Sequence, residues 1–217
     1  MTSDRDVPYG SMVLVPGIIT LAVTLLRLTG ERLGWSKALF SPEAGGGGAL
    51  VGIVWLVPVF GVLFALRLTR MGHGPSGVGK PLGLALAAFA LCTVVIIAVH
   101  NLALAFLTQL VVVCAASLAA IAIAWKGWPA LARTLLVYGI VARVPVAAVM
   151  LVAMLGDWKT HYDVAPPDFP ATGVMAKFLW IGLLPQMTVW LYVTVVLGMI
   201  AGAIAYAVAG RKQPAAA

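Results

Sequence analysis

"PLGLALAAFALCTVVIIAVHNLALAFLTQLVVVCAASLAAIAIAW", residues 81–125, holds no Asp, Glu, Lys or Arg. As a single helix rising 1.5 Å per residue it would extend about 66 Å, over twice the roughly 30 Å of a bilayer's hydrocarbon core. The run must therefore fold back as two spans, and His100-Asn101 is where it turns. A helical hairpin of this kind has few homes outside a membrane.

The remainder of the chain agrees. Of its 217 residues 62% are hydrophobic and only 10% charged, with a mean hydropathy of +1.05. Soluble domains carry about 25% charged residues. Apolar runs between charged or Gly/Pro-rich breaks predict spans near 11–29, 49–67, 82–100, 103–125, 131–155 and 185–208. The expected fold class is an all-α integral membrane protein with six transmembrane helices, residues 1–217 forming one polytopic domain. The first run follows Asp4-Arg5-Asp6 and leads into Arg27-Leu-Thr-Gly-Glu31-Arg32, which is neither a signal-peptide n-region nor a cleavage site, so it reads as a retained span. Residues 171–184 are apolar too, but joined to the last span they would overshoot the bilayer. They are placed along the interface, anchored by Lys177 and Trp180, with Pro185 opening the next helix. Val57-Pro58-Val59 and Val144-Pro145-Val146 fall in the middle spans of two three-helix halves, a faint mark of a 3+3 inverted repeat.

The net charge of +7 is spread over the ends of apolar runs, without the basic stripe and stacking aromatics of a nucleic-acid binder. Six crossings put Arg5, Arg67, Arg70, Lys80, Lys126, Arg133, Arg211 and Lys212 on one side. The other side receives Arg32, Lys37, Lys159 and Lys177, with Arg27 close by, together with Glu31, Glu43, Asp157, Asp163 and Asp168. The positive-inside rule then places both termini in the cytoplasm of a bacterial inner-membrane protein. Trp125, Trp128, Trp158 and Trp180 lie at expected interfaces, in contact with membrane lipids. Cys92 and Cys114 lie within apolar runs and read as structural thiols.

Gly74 to Pro81, "GPSGVGKP", approaches the phosphate-binding G-x-x-x-x-G-K-[ST] but ends in proline where a Mg²⁺-binding hydroxyl is needed. It joins two spans instead of following a buried strand. The expectation is a flexible basic turn, with no ATP binding at Gly74–Lys80 and no cofactor.

Polar residues in or near the spans carry the functional expectations. Arg143 falls mid-span, where a charge is disfavoured by about 2.5–3.5 kcal/mol, and such residues mark function by default. Pro145 beside it removes a helical N–H and predicts a kink. No span holds an acid, so the arginine's partner is a residue such as Tyr138, Gln109, Gln186 or Tyr192, a carbonyl, an acid it reaches by snorkelling, or an external anion. The candidate ligand-binding set is Arg143, Arg27, Glu31, Gln109 and Asn101. On the outer side His100, His161 and Asp157 are the residues an enzyme would use. His100, Asp157, His161 and Asp163 are the alternative set for a metal, with Asp157 and His161 on one helical face if span five continues that far. Gly198 and Gly202 form a GxxxG that suits close helix packing, within the chain or against a second copy or partner subunit.

An arginine without a carboxylate at its depth is most simply satisfied by a ligand. The leading functional expectation is therefore binding or movement of a small anionic or amphiphilic molecule through an outward-facing polar cavity. The alternatives are a membrane-embedded enzyme acting on a lipid-like substrate, and an accessory or assembly subunit of a membrane complex.

Overall fold

A computed structural model describes residues 7–46, 48–170 and 173–209. Their regular structure is helical, without strands among the described residues: α1 (Tyr9–Arg32), α2 (Leu56–Arg70), α3 (Gly79–Asn101), α4 (Phe106–Trp125) and α5 (Pro129–Gly156). The last helical stretch is built from α6 (Val174–Lys177), a π-helical turn (Phe178–Leu183), α7 (Leu184–Met187) and α8 (Val189–Ala209). Five helical segments are long and apolar enough to cross a membrane: α1, α3, α4, α5 and the composite Val174–Ala209. This is the make-up of a multi-pass membrane protein.

The span expected at 49–67 is corrected by the structure. Its helix starts at Leu56 and has 15 residues, about 22 Å at 1.5 Å per residue. The reason lies in the preceding backbone. Leu50 and Val51 donate to the carbonyls of Ala38 and Leu39 across the loop, instead of joining a helix. The hairpin of 81–125 turns slightly later than expected, through Leu102–Ala105, with Ala103 at φ 47° and the Gln109 amide donating to Leu104 O at 2.6 Å. Residues 171 and 172 lie outside the described set. From Val174 on, the expected separate interfacial segment is a helix that continues through the π turn, and the break comes at Thr188 (φ −128°, ψ −73°), not at Pro185.

Packing centres on α8, which touches α2, α3, α4 and α5, while α1 lies along α5 and α3 pairs with α4. Gly198 and Gly202 make this possible inside one chain. A Cβ at Gly61 of α2 would lie 2.4 Å from Gly198 O, and one at Gly202 would meet Leu131 of α5 and Ala65 of α2 at 2.7 and 3.0 Å. Backbones at that separation gain dispersion contacts along the crossing, which is what drives association where surrounding lipid is as apolar as the helices. Leu68, Leu131, Leu135, Val195, Val196 and Met199 fill the interior around it. The residues of the outer faces, such as Leu14, Val15, Ile18, Val94 and Ile97, are apolar yet exposed, as lipid contact requires. The two Val-Pro-Val triplets do not occupy matching places. Pro58 lies in the first turn of α2, whereas Pro145 lies in the interior of α5.

Gly61→Ala therefore tests the crossing. It should lower thermal stability in detergent by about 1–3 kcal/mol through overpacking against backbone that cannot move aside. Gly83→Ala, in an exposed part of α3 with nothing near its Cβ position, should raise it by up to about 1 kcal/mol.

Candidate functional site

One face of α1 carries a ladder of polar groups, Thr20, Thr24, Arg27 and Glu31, spaced four, three and four residues apart so that they stack along one side. All four are buried. Thr20 Oγ1 donates to Pro16 O at 2.8 Å, so the Tyr138 hydroxyl of α5 donates to Thr20 in turn, also at 2.8 Å. One turn on, Thr24 Oγ1 donates to Thr20 O, and its own carbonyl accepts the Tyr162 hydroxyl at 3.1 Å. Each rung pins α1 to an element remote in sequence.

The ladder ends at Glu31, whose side chain is fully buried. Its carboxylate accepts three donors: Arg27 Nε at 2.8 Å, His161 N–H at 2.9 Å and His161 Nδ1 at 2.5 Å. Arg27 Nη2 donates to Gly46 O at 2.9 Å and Ser41 O at 3.2 Å, drawing the 41–46 loop over the pair. That loop needs glycine. Gly46 sits at φ 92°, and a Cβ there would approach Arg27 Nη2 to 2.9 Å. On the opposite side Asp163 holds the loop bearing His161, accepting the N–H groups of Lys159 and Thr160 and the Thr160 hydroxyl at 2.7–2.9 Å.

Since the Glu31 carboxylate can only accept, His161 Nδ1 carries the proton of the bond between them. In the neutral ring Nε2 then has its lone pair free, and it makes no hydrogen bond among the described residues. Burial, above all, holds the His161 pKa below its ordinary value. The Glu31 bond pulls the other way and nearby Arg27 reinforces the lowering, so the ring is neutral at pH 7. Its face packs on Tyr162, centroids 3.8 Å apart. A carboxylate-oriented imidazole can accept a hydrogen bond or a proton at Nε2.

Arg27, His161 and Tyr162 line a partly open cavity of about 680 Å³. Its other walls are largely apolar and come from the 45–55 loop, α2, α4, α5 and the composite last helix: Ile53, Pro58, Leu110, Val146, Met150 and Ile181 are typical. Gln186 and Trp190, on either side of the break at Thr188, also line the cavity. The Gln186 amide nitrogen reaches Met150 Sδ at 3.6 Å, while its oxygen is buried without a partner.

Arg143 is 3% exposed and its Nε is buried without a partner. None of the side chains or carbonyls expected as its partner is bonded to it among the described residues. Its guanidinium lies over the Trp190 ring, 4.9 Å from the centroid. The cation thus does not line the cavity itself, but stands against a ring that does.

Of the expected residues, then, Arg27, Glu31 and His161 converge, and Arg143 sits behind the cavity. Asp157 does not share a helical face with His161. α5 stops at Gly156 because Asp157 takes a left-handed conformation, φ 45°, and its exposed carboxylate pairs with Lys159 at 2.8 Å. Asp163 is spent on loop N–H groups. His100 and Asn101 are exposed at the end of α3, and Gln109 caps the following turn; none lines the cavity. No group of three or more His, Cys, Asp or Glu side chains arranged to hold a metal occurs among the described residues. Residues 74–78 form coil between α2 and α3, with Pro75 O accepting the Tyr206 hydroxyl at 2.7 Å. Thr20, Thr24 and Trp190 carry no expectation in the sequence, yet the four-three-four spacing of polar residues in α1 is itself a signal of a buried polar face.

The chain matches no protein-family profile, no curated protein and no solved structure.

The Arg27–Glu31–His161 network yields a prediction about its coupling. Glu31→Leu should destabilise the protein by about 3–5 kcal/mol, because it leaves a buried guanidinium without its carboxylate. Adding Arg27→Met should recover a large part of that loss, measured as thermal or denaturant unfolding in detergent. Additive losses would show that the two side chains act independently.

Proposed function

We propose that the protein is a six-span bacterial inner-membrane protein that binds, and moves between membrane and outer surface, a small anionic amphiphile. The observation that carries the reading is the cavity: largely apolar walls, a cation and an imidazole at one end, and an indole at another. Apolar walls with a few fixed polar groups are the usual construction of a small-molecule site. Around 680 Å³ is room for a short acyl chain or a folded part of a longer one. Arg27 and Arg143 supply the positive potential for an anion, Arg27 from the wall and Arg143 through Trp190, which is polarised by the cation above its ring. In this reading α2 completes the sixth crossing, and the 45–55 and 157–166 loops face the periplasm with both termini in the cytoplasm.

Cysteine labelling in intact cells tests the topology: single cysteines at position 80 and at exposed position 157 should react from opposite sides. Labelling from the same side would overturn the six-span arrangement. The anion reading is tested with Arg143→Met, which keeps much of the apolar stem and removes the charge. Equilibrium binding of dodecyl phosphate to the purified protein should weaken at least about tenfold, a loss of about 1.4 kcal/mol. Leu110→Trp, which fills the cavity from α4, should weaken it too. Wild-type affinity in a well-folded Arg143→Met protein would remove Arg143 from the site.

A further inference from the structure

The hydrogen-bonding capacity left over in the cavity specifies more than an anion. Arg27 spends Nε on Glu31 and Nη2 on two carbonyls, whereas Nη1 has no bond among the described residues. Gly52 leaves room for it, since a Cβ there would come within 3.2 Å of Nη1. That nitrogen is a charged donor on the cavity wall. His161 contributes an unshared acceptor, Nε2, whose tautomer is set by Glu31. Because Arg27 Nε and His161 Nδ1 meet at one oxygen of Glu31, at 2.8 and 2.5 Å, the free donor and the free acceptor belong to one small patch. Gln186 Oε1 is fully buried behind the wall and does not face the cavity. A plain anion such as a fatty acid satisfies the donor but leaves His161 Nε2 unpaired once the ligand excludes water, and an unpaired acceptor costs about 1–3 kcal/mol.

Resting on the cavity reading above, we propose that the site takes an amphiphile whose headgroup joins an anionic phosphodiester to free hydroxyl groups, the chemistry of a polyol phosphate lipid. Arg27 Nη1 holds the phosphate oxygen, His161 Nε2 accepts from a headgroup hydroxyl, and the walls from Ile53 to Ile181 take the chain. Discrimination of this kind is strong where a site built to receive a hydroxyl is left unpaired by an analogue that lacks it.

Two lipids with the same chains and charge test this. Phosphatidylglycerol carries the hydroxyls, and phosphatidylmethanol is the same phosphodiester without them. With short-chain forms of both and the full-length protein in phosphatidylcholine nanodiscs, phosphatidylglycerol should bind at least about tenfold more tightly, the worth of about one well-made hydrogen bond. His161→Phe should lower phosphatidylglycerol affinity to that of phosphatidylmethanol and leave the latter unchanged. Equal, saturable binding of the two lipids by the wild type overturns the hydroxyl inference and leaves the anionic-amphiphile reading standing. Saturable binding of neither overturns both. Free glycerol phosphate should compete only at far higher concentration; competition at equal concentration would overturn the assignment to a lipid while keeping the headgroup chemistry.

Discussion

Contact between two backbones, Gly61 of α2 and Gly198 of α8, is the constraint around which the helices are arranged. In lipid no hydrophobic force drives one apolar helix against another, so association depends on dispersion between surfaces that fit and on polar groups that find partners. Glycine brings the axes together, and the gain is spread over the length of the crossing. With α8 held against α2, the side chains of Leu131, Leu135 and Val195 have little freedom in how they fill the space between α8 and α5. α5 in turn is the surface on which α1 lies. A short helix such as α2 is kept in place by this contact more than by its own length.

Polar groups organise the opposite end. Four rungs on α1 engage α5 and two loops, and the last of them, Glu31, gathers a cation, an imidazole and a backbone amide around one carboxylate. Buried charges of this kind give little net stability beside an apolar replacement, so their retention points to what they position. Here they position a cation and an imidazole on the rim of a cavity. Loop 41–46 and loop 157–163 are both drawn in by the same network, and the cavity wall is therefore as rigid as the network itself.

Much of the helical layout can be read from residue order alone, since bilayer thickness leaves few choices for a run such as 81–125 and α5 begins and ends within two residues of the expected span. The misreadings are physical in origin. Residues 49–55 are apolar enough for a span, but glycines at 48 and 52 and the bonds from Leu50 and Val51 to the 38–39 backbone make them a folded loop. Asp157 and His161 could share a face only if α5 ran on through them, and Asp157's own left-handed turn ends it first. The convergence of Arg27, Glu31 and His161 depends on a separation of 130 residues, which no local pattern encodes. The position of Arg143 was legible and its partner was not, because the partner is the face of an indole and carries no charge to look for.

The π turn at Phe178–Leu183 sets how Gln186, a short way along the same helix, comes to face Met150. An α-helix advances about 100° per residue, and a π turn accommodates one residue more than an α turn over the same distance. Everything beyond it is rotated by that increment relative to what precedes it. The composite last helix is thus written in more than one frame: Val174–Lys177 follows one, Gln186 in Leu184–Met187 follows the next, and the break at Thr188 redirects the chain into α8 and Trp190. Shortening the chain by one residue in the π turn would join Val174–Met187 in a single frame and swing Gln186 away from the side it now takes. The insertion acts as a phase setting, and a change of length, not of chemistry, decides which face of the helix the cavity meets.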